Sequence, residues 1–252
     1  MIYDARVVGR VRNSVLLISA VTWTLLLIKP MGFDLLAHCQ AISSRTAQPS
    51  LSFRTLLAMN PPALLAADWA VMLIAMMSPV LIQPLCHVYL RSFRRRRGRS
   101  VVLCIAGYAL IWILLGCALL SMAAVVHWFS PRSYFPAAAA LLVALVWQFS
   151  PVKQRCLNRC HAHPALAAFG AAADFAALRF GITHGIWCGG SCWAVMLFTI
   201  LLPQGHIFAM AAATALTLGE RLELPRPPSW CCRGAGKAIR IMVAQARIRL
   251  LA

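Results

Sequence analysis

The sequence predicts an all-α polytopic transmembrane helix bundle of about six spans, with one further interfacial or re-entrant helix. Three observations predict it. Of 252 residues, 61% are hydrophobic and only 12% charged, with a mean hydropathy of +0.75, far from soluble globular proteins. The apolar residues fall into runs close to the ~20 that a helix needs to cross hydrocarbon about 30 Å thick. The 24 Lys and Arg residues, against 6 Asp and Glu, gather in short runs between those stretches, as the positive-inside rule expects of cytoplasmic loops.

The spans follow in chain order. The chain has a basic start at Arg6, Arg10 and Arg12, and residues 11–28 run into Lys29-Pro30 with no small-residue cleavage pattern, so they read as a retained first span. Residues 63–85, 101–126 and the shorter 135–149 supply the next three. Residues 186–202 and 207–218 form a hairpin around Pro203-Gln204-Gly205-His206, a turn-forming sequence. Helix is expected throughout because hydrocarbon offers backbone polar groups no other partner. Residues 164–181 are alanine-rich and carry Asp174 and Arg179. A full crossing there would put the basic tail outside, so this segment is expected at the interface or re-entering it.

With that arrangement both termini, the arginine run at 91–99, and the loop of Lys153, Arg155 and Arg159 face the cytoplasm. Three regions result: a first span with an external loop (1–62), a membrane core (63–222) and a basic cytoplasmic tail (223–252). Apolar and basic residues mix along 237–251, as in an amphipathic interfacial helix. A net charge of +18 by itself is compatible with nucleic acid, but its distribution between apolar runs makes the lipid bilayer the expected partner instead. The ten cysteines of such a chain do not read as a secreted disulfide framework.

The chemistry-bearing residues are soft. His184, Cys188, Cys192 and Met196 recur at four-residue steps, which on a helix keeps them to one slowly drifting stripe. Thiolate, thioether and imidazole together suit Cu(I), with zinc the second choice. The competing reading is plain packing, with cysteine a small buried hydrophobe and methionine a flexible filler. Cys156 and Cys160 form another such pair if their segment is helical, with His161 and His163 next to it. Charge topology puts that pair at the same membrane face as the start of the 186–202 span, so the two pairs are expected to converge. The alternative is a juxtamembrane loop open to palmitoylation. Met72, Met76 and Met77 near Asp68 extend the soft-ligand set, or simply pack. Cys104 and Cys117 look like ordinary apolar-helix cysteines, and Cys86-His87 like a helix end. No phosphate-cradling loop, metalloprotease motif or nucleophile elbow is present, so the reading leans away from an enzyme.

Over roughly residues 69–220 the chain resembles the bacterial family called domain of unknown function 2182, described as predicted metal-binding integral membrane proteins. The likeness rests on Met72-Leu73-Ile74-Ala75-Met76-Met77-Ser78-Pro79, on Trp147-Gln148 through Pro151-x-Lys153-x-x-Cys156-Leu157-x-x-Cys160, and on Gly185-x-x-Cys188-x-Gly190-x-Cys192-Trp193-x-x-Met196, with Glu220-Arg221 closing the last span. Ser191-Cys192 stands where the family has adjacent cysteines. Pro203-Gln204-Gly205-His206 replaces its Gly-x-Met-Asn, while Met210 remains at a family methionine position. The resemblance implies a bacterial inner-membrane protein that binds a metal. Together with the ligand set it leads to an expected role in copper handling or delivery, with a metal donor or acceptor protein as partner. The rivals are a membrane-embedded redox enzyme subunit using the same ligands, and a metal-free structural or assembly protein.

Overall fold

An apolar chain must satisfy its backbone within each segment, and in the computed structural model, which describes residues 5–28, 62–130 and 133–231, every regular element is helical. The elements are α1 (Ala5–Ile28), α2 (Pro62–Met77), a short 3₁₀ turn (Pro79–Leu81), α3 (Ile82–Arg91), α4 (Arg97–Phe129), α5 (Phe135–Phe149), α6 (Pro151–Cys160), α7 (Gly170–Leu201) and α8 (His206–Leu222). Most of the expected external loop and the expected amphipathic tail lie outside the described residues.

Among the described residues three helical stretches, Val8–Ile28, Arg97–Val126 and Gly170–Leu201, are each long and apolar enough to cross a membrane. Two bent pairs raise the number to as many as five: Ala66–Met77 with Pro79–Arg91, bent by 52°, and Phe135–Phe149 with Pro151–Cys160, bent by 67°. The breaks have chemical causes. Pro79 has no N–H to offer the carbonyl of Ala75, one turn back, and the helix kinks there. That carbonyl instead accepts from Ser19 Oγ at 2.8 Å and Trp23 Nε1 at 3.1 Å, which holds α1 against α2. At the second break Ser150 is extended, its Oγ accepts from Lys153 N at 3.2 Å, and Pro151 occupies the first position of α6. Gly205, with φ at 76°, turns the chain between α7 and α8, where His206 Nδ1 donates to Thr199 O at 2.7 Å.

The expected interfacial or re-entrant helix at 164–181 is corrected. From Gly170 onward this segment is the first part of α7, a single 32-residue helix about 48 Å long. No proline interrupts it, and its glycines are held by packing. Its first turns are fixed by Asp174, which accepts from Arg96 and Arg99, both at 2.7 Å. The extra length therefore belongs to the basic end of the bundle, beside the arginine run.

α4 and α7 run parallel from that end in the most extensive helix contact of the fold. A Cβ on Gly181 would lie 2.1 Å from Cys104 O, and one on Gly107 2.5 Å from Leu178 O. Farther along, Gly185 meets Ile111 and Gly189 meets Leu115, both at 3.0 Å. Glycines at 181, 185 and 189 thus form a small-residue row of the kind that lets helix backbones approach closely. α5, α6 and α8 pack on other sides of α7, and α1 lies against α2 and α3. Gly181→Ala is expected to lower stability by about 2 kcal/mol or more through overpacking against backbone. Gly98→Ala, whose Cβ meets nothing within 4 Å, should be neutral or slightly stabilising in the same detergent melting experiment.

Candidate metal centre

Because α7 is continuous, its four-residue stripe is a physical row. His184, Cys188, Cys192 and Met196 are all buried, at 5%, 0%, 3% and 1% exposure. Tyr108 of α4 reaches the row, its hydroxyl 3.3 Å from Cys188 Sγ. Cys192 Sγ donates to Cys188 O at 3.1 Å, and the two thiols are within each other's reach. His184 sits between Tyr108 and Phe180, with 6.0 Å between ring centres on either side, and its Nε2 is buried without a hydrogen-bond partner.

The sharp bend after α5 lays α6 against α7 and turns Cys156 and Cys160 inward. Cys156 Sγ packs on Gly190, where a Cβ would come within 3.0 Å of it. Cys160 joins the same buried cluster as Cys188, Cys192, Met72, Met76, Met77, Met196 and Met210. The segment is helical, and its thiols lie in the interior rather than in a juxtamembrane loop. Among the described residues, however, no three His, Cys, Asp or Glu side chains form a group able to hold a metal ion. The arrangement is thiol pairs backed by thioethers, not a closed cage.

The family model for PpoB2, copper chaperone, matches residues 66–243. The chain belongs to the PpoB2 copper-chaperone family. The match begins in α2 and takes in the bent pairs, α7 and α8, and therefore every candidate ligand. No curated protein and no solved structure gives a significant match.

In this PpoB2 member the polar residues around the thiols are as specific as the thiols. Arg221, at the end of α8, places its guanidinium beside Cys160, Cys188 and Cys192. Its Nη2 donates to Ser191 Oγ at 3.3 Å, Nε and Nη1 are buried away from any oxygen acceptor, and the group lies within hydrogen-bond reach of Cys160 and Cys188. Lys153, expected as a cytoplasmic loop charge, is instead 1% exposed, with Nζ 2.8 Å from Glu220 Oε1. Gln148 bridges the pair, accepting from Lys153 Nζ and donating to Glu220 Oε1. Lys153 and Glu220 cancel, so Arg221 leaves one net positive charge among the sulfurs. Arg155 and Arg159 of the same helix remain exposed, because only one face of α6 is covered.

Other histidines are placed differently. Both His161 ring nitrogens face carbonyl oxygens, Leu157 O at 2.9 Å and Arg221 O at 3.1 Å, so this residue pins α6 to α8 rather than offering a ligand. His206 serves the α7–α8 turn. Tyr108 and Arg221 are the neighbours that ligand spacing alone does not reveal. A base closing an apolar run was the available signal for Arg221, and Tyr108 carried none.

Removing one member of a buried ion pair leaves the other uncompensated. Glu220→Gln should therefore cost about 3–5 kcal/mol in a thermal melt. Glu223→Gln, which breaks an exposed contact with Arg226, should cost less than about 1 kcal/mol.

Proposed function

We propose that this chain is an integral membrane copper chaperone that holds one Cu(I) as cargo between the thiolates of Cys188 and Cys192. The observation that carries the reading is the guanidinium of Arg221, which faces Cys160 and Cys188 at hydrogen-bond reach with Cys192 beside them and has no carboxylate partner among the described residues. An unpaired charge in an apolar interior is costly unless something opposes it. Two thiolates with one cuprous ion sum to −1, which Arg221 neutralises. Two thiolates with Zn²⁺ sum to zero and leave the guanidinium uncompensated. Charge balance thus selects the monovalent ion that the softness of the ligands also favours.

Loading exchanges protons for metal: two thiols and Cu(I) give the bis-thiolate complex and release two protons, so apparent affinity rises with pH. Cys156 and Cys160 on α6 offer a second thiol pair, and Met72, Met76, Met77 and Met196 line the same cluster with thioethers. Neighbouring soft ligands of this kind suit stepwise exchange toward a protein donor or acceptor. The run of arginines at 91–99 supports a cytoplasmic position for the basic end of the bundle and, with it, residence in a bacterial inner membrane.

The test is a Cu(I) titration of the detergent-purified protein against a competing chromogenic chelator. The parent should bind one ion tightly, and Cys188→Ser with Cys192→Ser should lose at least about a hundredfold in affinity for that ion, taking 10–100-fold for an outer-shell change as the lower scale. Unchanged affinity in that variant sinks the proposal and leaves the cysteines as packing residues. Arg221→Gln should weaken Cu(I) about 10–100-fold while sparing Zn²⁺, and Arg221→Lys, which keeps the charge, should restore most of the loss.

A further inference from the structure

Away from the thiols, two histidines meet at the basic end of the bundle. His87, in α3, and His163, in the segment between α6 and α7, have ring centres 5.0 Å apart, edge to face. Each ring has one nitrogen against a backbone carbonyl: His87 Nε2 is 3.0 Å from Pro164 O, and His163 Nδ1 is 2.8 Å from His161 O. A carbonyl oxygen only accepts, so those nitrogens carry the protons. In the neutral rings the lone pairs then sit on His87 Nδ1 and His163 Nε2. A ring fixed by a carbonyl on one nitrogen, with the other left to bind, is the way metal-ligating histidines are oriented.

The rings are reachable, His163 being exposed and His87 partly so. A bent nitrogen–metal–nitrogen bridge with bonds of about 2.0 Å places ring centres about 5–6 Å apart, so the observed separation needs little adjustment. Arg91 contributes positive charge near His87. That disfavours a divalent ion more than a monovalent one and keeps any bound cation weakly held.

Behind this pair a column of rings leads inward. Phe180 lies 5.5 Å from His87, His184 lies 6.0 Å from Phe180, and Tyr108 lies 6.0 Å from His184, with its hydroxyl on Cys188 Sγ. His184 Nε2, buried and without a hydrogen-bond partner, lies on that path.

We propose that His87 and His163 form a second metal site, a two-nitrogen docking site for Cu(I), from which the ion passes by His184 to Cys188. The destination rests on the thiolate reading above, whereas the docking site stands on the histidines alone. Transfer is by ligand exchange in which copper stays cuprous and each imidazole stays neutral: the bonds to His87 and His163 break as His184 Nε2 binds, that bond breaks as the copper–sulfur bond to Cys188 forms, and the Cys188 S–H proton leaves to solvent.

The experiment uses the full chain in detergent, with Cu(I) supplied on a chromogenic chelator. A variant with serine at Cys156, Cys160, Cys188 and Cys192 is expected to retain one weakly bound ion, with only nitrogen or oxygen neighbours in its X-ray absorption spectrum. Adding His87→Ala or His163→Ala should weaken that binding at least tenfold. In the protein with its thiols intact, the double histidine variant should reach the parent's affinity within about twofold but load at least tenfold more slowly. No nitrogen-bound ion in the serine variant, or loading at the parent's rate without the histidines, overturns the docking site. Failure of the thiolate centre registers separately, as tight binding that survives loss of Cys188 and Cys192.

Discussion

Contact between α4 and α7 at a distance that no side chain permits organises the interior. Glycines at 181, 185 and 189 let the two helices run side by side, and Gly181 brings α7 against the Cys104 carbonyl. Tyr108 is therefore one turn from the closest approach and can reach Cys188, while the flanks of α7 stay open to α5, α6 and α8. In an apolar bundle, packing of this kind stands in for the hydrophobic effect that holds soluble cores together. The same contact that stabilises the fold fixes the position of the sulfurs.

Polar groups inside the bundle follow a strict economy. Lys153, Gln148 and Glu220 form a closed network in which the charges cancel. Among the described residues Arg221 is an inward-facing cation with no carboxylate partner, and it lies against the thiols. A structural arginine would be expected to have its nitrogens occupied. Here its neighbours are thiols instead of a carboxylate, and the proposed anionic complex would supply the missing negative charge.

Much of this was legible in the sequence, and the failures are instructive. Helical class, the turn before His206 and the four-residue stripe of His184, Cys188, Cys192 and Met196 all followed from periodicity and turn chemistry, which are local. The continuity of α7 did not. Asp174 and Arg179 made its first turns look unlike a span, and the partners that fix Asp174, Arg96 and Arg99, are distant in sequence. Lys153 read as a loop charge because hydropathy cannot see Glu220 approaching from another helix. The resemblance covered roughly 69–220, against the family match over 66–243, so the motifs marked nearly the right stretch without showing which of their residues bear charge in the interior. Tyr108 could not be found at all, since an aromatic in an apolar run has no sequence signature until its neighbour is known.

The kink at Pro79 reaches beyond the helix that contains it. α1 lies outside the stretch that defines the family, yet Ser19 and Trp23 donate to the Ala75 carbonyl in place of the one N–H that Pro79 cannot supply. A relative that starts at α2 and keeps that proline inherits a bare oxygen in hydrocarbon, and must cover it with a residue of its own, a trapped water or a neighbouring subunit. The first helix is in this sense a prosthesis for a defect in the second.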